Sequence, residues 1–104
     1  MIDITRRFEI VSQDGGTTSE CTLRLFDSRP CESGRDWQVC FTITGIEPRF
    51  AAPCQIYGID ALQALFGALT VARAVLESSL PYVEGRLTWC GSSALGLDVD
   101  RRAP

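Results

Sequence analysis

One segment alone, Ala61 to Leu80, carries apolar residues at helical spacing, and it lies between runs with the two-residue period of strands. Leu62, Leu65, Phe66, Leu69, Leu76 and Leu80 recur three and four residues apart and form one apolar stripe. Asp60 is a favourable N-cap, and Pro81 is expected to end the helix. At about 1.5 Å per residue such a helix spans roughly 30 Å, long enough to cross a small sheet.

The strand signals come first in the chain. Ile4, Phe8 and Ile10 fall on one face of a run from Ile4 to Ser12, with Arg6 interrupting that face. Asp14-Gly15-Gly16 is a turn, and Cys21, Leu23 and Leu25 share a face in the next run, so the two runs form a hairpin. Ser28 to Asp36 reads as an exposed loop. Trp37, Val39, Phe41 and Ile43 then alternate with Gln38, Cys40, Thr42 and Thr44. Pro48 and Pro53 confine any strand around Gln55–Tyr57 to a sheet edge. Leu87 to Cys90 is a strand, and Leu95 to Val99 is expected to add a last short one. The chain therefore reads as a single α+β domain over residues 1–104. It is an antiparallel sheet of about five strands with one long helix on one face, and a flexible tail over 100–104.

Opposite the leucine stripe the helix carries Ala64, Gly67, Ala68, Val71, Ala74, Val75 and Ser78, with no charge among them. An ordinary surface helix is charged there. A glycine inside a helix costs about 1 kcal/mol relative to alanine, which points to a close backbone approach. Ala64, Gly67, Val71 and Val75 are accordingly candidates for contact with a second copy or another protein.

Histidine, lysine and asparagine are absent, and all ten basic residues are arginine. That excludes histidine-based triads, histidine-bearing metal sites, lysine Schiff bases and Walker-type phosphate loops. No catalytic motif, cofactor or metal site is expected. A net charge of -3 disfavours nucleic acid as a partner. No leader is read at Met1 and no apolar stretch reaches the roughly 18 residues of a membrane span, so a cytoplasmic domain that meets no membrane is expected.

The five cysteines, 21, 31, 40, 54 and 90, include no C-x-x-C pair. Cys21, Cys40 and Cys90 fall in strand-like runs and read as buried. Cys31, between Arg29 and Arg35, is the most reactive candidate. The carboxylates are scattered, and Asp27 and Asp36 flank one loop as solvated acids.

Three sequences in the second half, Gly58-Ile59-Asp60-Ala61-Leu62-Gln63-Ala64-Leu65, Gly85-Arg86-Leu87-Thr88-Trp89-Cys90-Gly91 and Leu95-Gly96-Leu97, resemble a family of small bacterial single-domain proteins of unknown function. The resemblance implies a structural role for these motifs and transfers no catalytic residue. By size and charge the chain is also similar to toxin-immunity proteins, which implies protein binding. The leading expectation is thus a non-enzymatic protein-binding domain, with a toxin-neutralising role as its sharpest form. Its candidate surfaces are Arg29, Glu32, Arg35 and Asp36 on the charged loop, and the small-residue helix face. The alternative is a small-molecule or anion-binding pocket lined by Trp37, Phe66 or Trp89, with Arg49 or Arg86 holding the anion. An enzyme using Cys31 or paired carboxylates is a third.

Overall fold

The computed structural model describes residues 3–97. Four strands precede the helix: β1 (Asp3–Val11), β2 (Thr18–Pro30), β3 (Trp37–Thr44) and β4 (Cys54–Gly58). A short 3-10 turn over Pro48–Ala51 lies between β3 and β4. Helix α1 (Ala61–Ser78), the one-turn helix α2 (Leu80–Val83) and strand β5 (Leu87–Thr88) follow. All five strands form one antiparallel sheet in the order β4-β3-β2-β1-β5. The α+β class, the single sheet and the single main helix match the reading of the sequence.

The core face of the sheet follows the two-residue alternation. Phe8, Ile10, Cys21, Leu23, Leu25, Val39, Phe41 and Ile43 all point to one side and are buried. Helix α1 crosses that side over β2, β3 and β4. The Asp60 carboxylate accepts from the amide of Gln63 at 2.8 Å, and the Gln63 side chain accepts in return from the amide of Ile59 at 2.6 Å. This reciprocal arrangement satisfies two donors at the helix entrance.

The inward face of α1 differs from the expected one. Ala64, Ala68, Ala72 and Leu76 are fully buried, whereas Leu62, Phe66 and Leu80 are exposed at 57%, 40% and 58%. The sheet beneath presents large side chains, so a close-packed interface needs small ones on the helix. The alanine row lets the helix axis approach, and Leu65, Leu69 and Val75 wedge in at the sides. Gly67 serves the same approach, since a Cβ there would lie 3.0 Å from Ile56 Cγ2 of β4. The close neighbour of this glycine is its own sheet.

Four further details correct the sequence reading. Strand β2 continues past Phe26 through a bulge, where Asp27 takes φ 55°, and Arg29 and Pro30 pair with Gln38 and Trp37. The loop is therefore confined to residues 31–36 rather than starting at Ser28. Ser79, in extended conformation, separates α1 from α2, and Pro81 sits in the first turn of α2, where its missing N–H costs nothing. Cys90 is exposed at φ 52° in the tight turn between Trp89 and Ser92, not buried in a strand. Leu95 and Leu97 are buried without forming a strand, and Val99 and the 100–104 tail lie outside the described residues.

Candidate functional site

The two edges of the sheet are built differently. Strand β5 is two residues long and runs directly into the Trp89–Ser92 turn, which leaves little edge to extend. Strand β4 is five residues long, and its sequence Cys-Gln-Ile-Tyr-Gly carries no charge and no proline. Natural sheets protect an exposed edge with charges, prolines, bulges or shortness. By that standard β5 is protected and β4 is open.

Beside the β4 edge the surface is apolar. Tyr57 is exposed at 58% and Ile59 at 77%, and Leu62 and Phe66 reach out from the first turns of α1. Tyr57, Asp60, Leu62, Gln63, Phe66 and Gly67 line a shallow groove of about 510 Å³. This arrangement has a local cause. With Ala64 and Ala68 facing the sheet, Leu62 and Phe66 fall on the outer side of α1. Gly58 fixes the turn from strand to helix, because a Cβ there would lie 2.4 Å from the amide nitrogen of Ala64.

The structure disperses the other expected site residues. Ala64 is in the core, Gly67 and Val75 are half-buried, and Val71 is exposed. Glu32, Arg35 and Asp36 are exposed on the 31–36 loop, and Arg29 is paired with Asp27 at 2.8 Å. Register sets Trp37 beside both Pro30 and Gly58, so the charged loop and the start of α1 lie at the same end of the sheet.

The expected anion pocket is not assembled. Arg86 donates to the carbonyl of Val11 at 2.8 Å and to Glu84, and exposed Arg49 pairs with Glu47 at 2.7 Å. Trp37 donates to Ser28 Oγ at 3.0 Å. A cavity of about 200 Å³ does open between helix and sheet, over Ile4, Leu23, Leu25, Leu69 and Leu97. The arginine at its rim is Arg6, stacked on Trp89 and bonded to the carbonyls of Leu95 and Gly96. Sequence reading noticed Arg6 as an interruption of an apolar face. Its phase with Phe8 and Ile10 was the signal that it points inward.

At the β2 bulge the Asp27 carboxylate accepts from Arg29 and from buried Gln38 at 2.9 Å, with Cys40 Sγ at 4.0 Å. Burial, then the Asp27 charge, pushes the Cys40 thiol up, so it is held away from the reactive thiolate. Cys31 is half-buried in the loop turn, its amide donating to the carbonyl of Asp36. No cluster of three metal-ligating side chains occurs among the described residues.

Residues 4–99 match a family described as a domain of unknown function, DUF6968. The chain belongs to the DUF6968 family. The match spans the whole sheet and α1, so the DUF6968 fold is the domain described above. No curated protein and no solved structure matches the chain. Contrary to the expectation that no stretch reaches the length of a membrane span, α1 of this DUF6968 domain has, at 18 residues, the length and hydropathy of one; four of its residues, Ala64, Ala68, Ala72 and Leu76, are buried in the domain.

Proposed function

We propose that the chain is a non-enzymatic protein-binding domain that engages its partner through the β4 edge and the adjoining flank of α1. The observation that carries this reading is the coincidence of an unprotected edge strand with exposed Tyr57, Ile59, Leu62 and Phe66. Contiguous apolar surface of this kind marks interaction sites in soluble proteins. An open edge offers main-chain donors and acceptors to an added strand. The sharpest form of the reading is an immunity-type role in the cytoplasm, with a toxin as partner. A net charge of -3 suits a basic one, and the 31–36 loop supplies charged groups at the same end of the sheet.

The small-molecule reading ranks second. Its cavity of about 200 Å³ falls below the roughly 300–1,000 Å³ of ordinary ligand pockets. Its arginine is already occupied by carbonyls.

The test is affinity capture from the source cells with the tagged chain and its Phe66→Glu variant side by side. A stoichiometric protein retained by the first and lost by the second supports the reading. Equal retention by both contradicts the assigned surface, and a ligand that raises Tm without any protein partner favours the cavity.

A further inference from the structure

We infer that the cavity over β1 and β2 binds a small monocarboxylate, whose carboxylate pairs with Arg6 and whose apolar body has about six to eight carbons. This goes beyond the protein-binding reading and does not depend on the β4 surface.

The cavity follows from how α1 is seated. Its alanine row packs mainly on β3 and β4 and less on β2. Over β1 and β2 the cover comes instead from Leu69, at the side of the helix, and from Gly96 and Leu97. A space of about 200 Å³ is left among these residues and Ile4, Leu23 and Leu25. An apolar cavity of roughly 150 Å³ takes up a benzene-sized molecule rather than water. Of the lining residues, Ile4, Thr5 and Gly96 are exposed. The first two precede Arg6 in β1 and the third accepts from it, so opening and charge lie together.

Arg6 supplies the chemistry. Its Nη1 makes both bonds to the carbonyls of Leu95 and Gly96, and the Trp89 ring, 3.9 Å away, covers one face of the guanidinium. The group is thereby held in one orientation before any ligand arrives. Among the described residues nothing accepts from its Nε or Nη2. No described carboxylate pairs with it either, whereas the arginines at 7, 24, 29, 49, 73 and 86 each have an acidic partner. Nε and Nη2 carry parallel N–H groups along one edge, which a carboxylate meets with both oxygens. An inorganic anion would satisfy that edge and leave the cavity unused. A plain hydrocarbon would fill the cavity and leave the half-buried cation without a counter-ion.

The test is titration of the full chain with benzoate and hexanoate, beside their neutral amides and acetate at matched ionic strength, read by amide chemical shifts and Tm. The expected result is saturable binding of a larger carboxylate with a rise in Tm. Shifts should centre on Thr5, Leu69 and Gly96, and the matching amide and acetate should bind about tenfold more weakly or worse. Arg6→Gln removes the charge, and Leu69→Phe narrows the cavity with Arg6 in place, so the second variant decides the matter if circular dichroism shows the first unfolded. Each should weaken binding about tenfold or more, and Phe66→Glu should leave it unchanged. Equal binding of acid and amide, indifference to Leu69→Phe, shifts centred elsewhere on the domain, or no binding at millimolar concentration overturns the proposal.

Discussion

The guanidinium carbon of Arg6 lies 3.9 Å from the centroid of the Trp89 indole, and one nitrogen of that group donates to the carbonyls of both Leu95 and Gly96. β1 is thereby tied to the segment after β5, which carries Leu95 and Leu97 into the core. The W-C-G and L-G-L motifs are two halves of one contact. A Cβ at Gly96, whose φ is 71°, would lie 2.3 Å from Trp89 Cζ3.

Removing the clamp is expected to loosen the end of the domain without unfolding it. Arg6→Met keeps the stem but loses the cation and both hydrogen bonds, at a cost of about 1–3 kcal/mol. A double-mutant cycle with Trp89→Leu, read by urea denaturation, should show coupling of about 0.5–1.5 kcal/mol. Additive effects would mean that the stacking carries no energy.

Gly58 and Gly85 should respond differently to alanine. At Gly85 a Cβ meets open space, and only its φ of 75° is unfavourable, so Gly85→Ala costs about 1 kcal/mol. At Gly58 the Cβ meets the backbone of Gln63 and Ala64, which cannot yield without moving α1. Gly58→Ala is therefore expected to cost clearly more than Gly85→Ala in the same denaturation assay.

Much of the sheet was legible because its signal is binary. Trp37 to Thr44 alternates without exception, and the prolines at 48 and 53 announce an edge. The inward face of α1 was not legible by hydropathy, since leucine outweighs alanine on any such scale. What decides that face is steric, namely how near the helix must come to a sheet already filled with Phe8, Leu23, Phe41 and Ile43. The four-residue row Ala64, Ala68, Ala72, Leu76 was the available clue. Ser28 to Pro30 looked like a loop because a bulge uses turn residues inside a strand. The β4 surface was legible only in part: Gln55–Tyr57 as an edge, but not the leucines beside it, because these had been given to the core.

The thiols should separate by burial. Cys90, exposed in its turn, is expected to react first with iodoacetamide, and Cys21 and Cys40 only on unfolding, as peptide mass spectrometry would resolve. Burial pushes the Cys21 thiol from 9.0 up to about 11. A folded value above the unfolded one means that its contribution to stability is whole below pH 9 and is lost as pH rises through 11. The urea midpoint should therefore fall over that window, less so in Cys21→Ala.

An acidic counterpart is expected at Glu84. The Arg86 guanidinium, and then the Gln13 amide, hold its carboxyl below the usual 4.5. A depressed folded value gives stability that is present above 4.5 and disappears as pH falls below it. Glu84→Gln should be the less stable protein at neutral pH, with the gap to the parent closing in acid. A gap that does not narrow would show that the ion pair is not its cause.

The measurement that bears most directly on the account is thermal unfolding of Phe66→Glu beside Ala68→Glu, two residues apart on α1. The proposed surface exists only if the leucine flank is outside and the alanine row inside. The expected result is a Tm for Phe66→Glu within a few degrees of the parent, and a large loss of Tm or of folding altogether for Ala68→Glu, which places an unpaired charge in the core. If Phe66→Glu unfolds the domain while Ala68→Glu is tolerated, the helix is turned the other way and the β4 surface is not there.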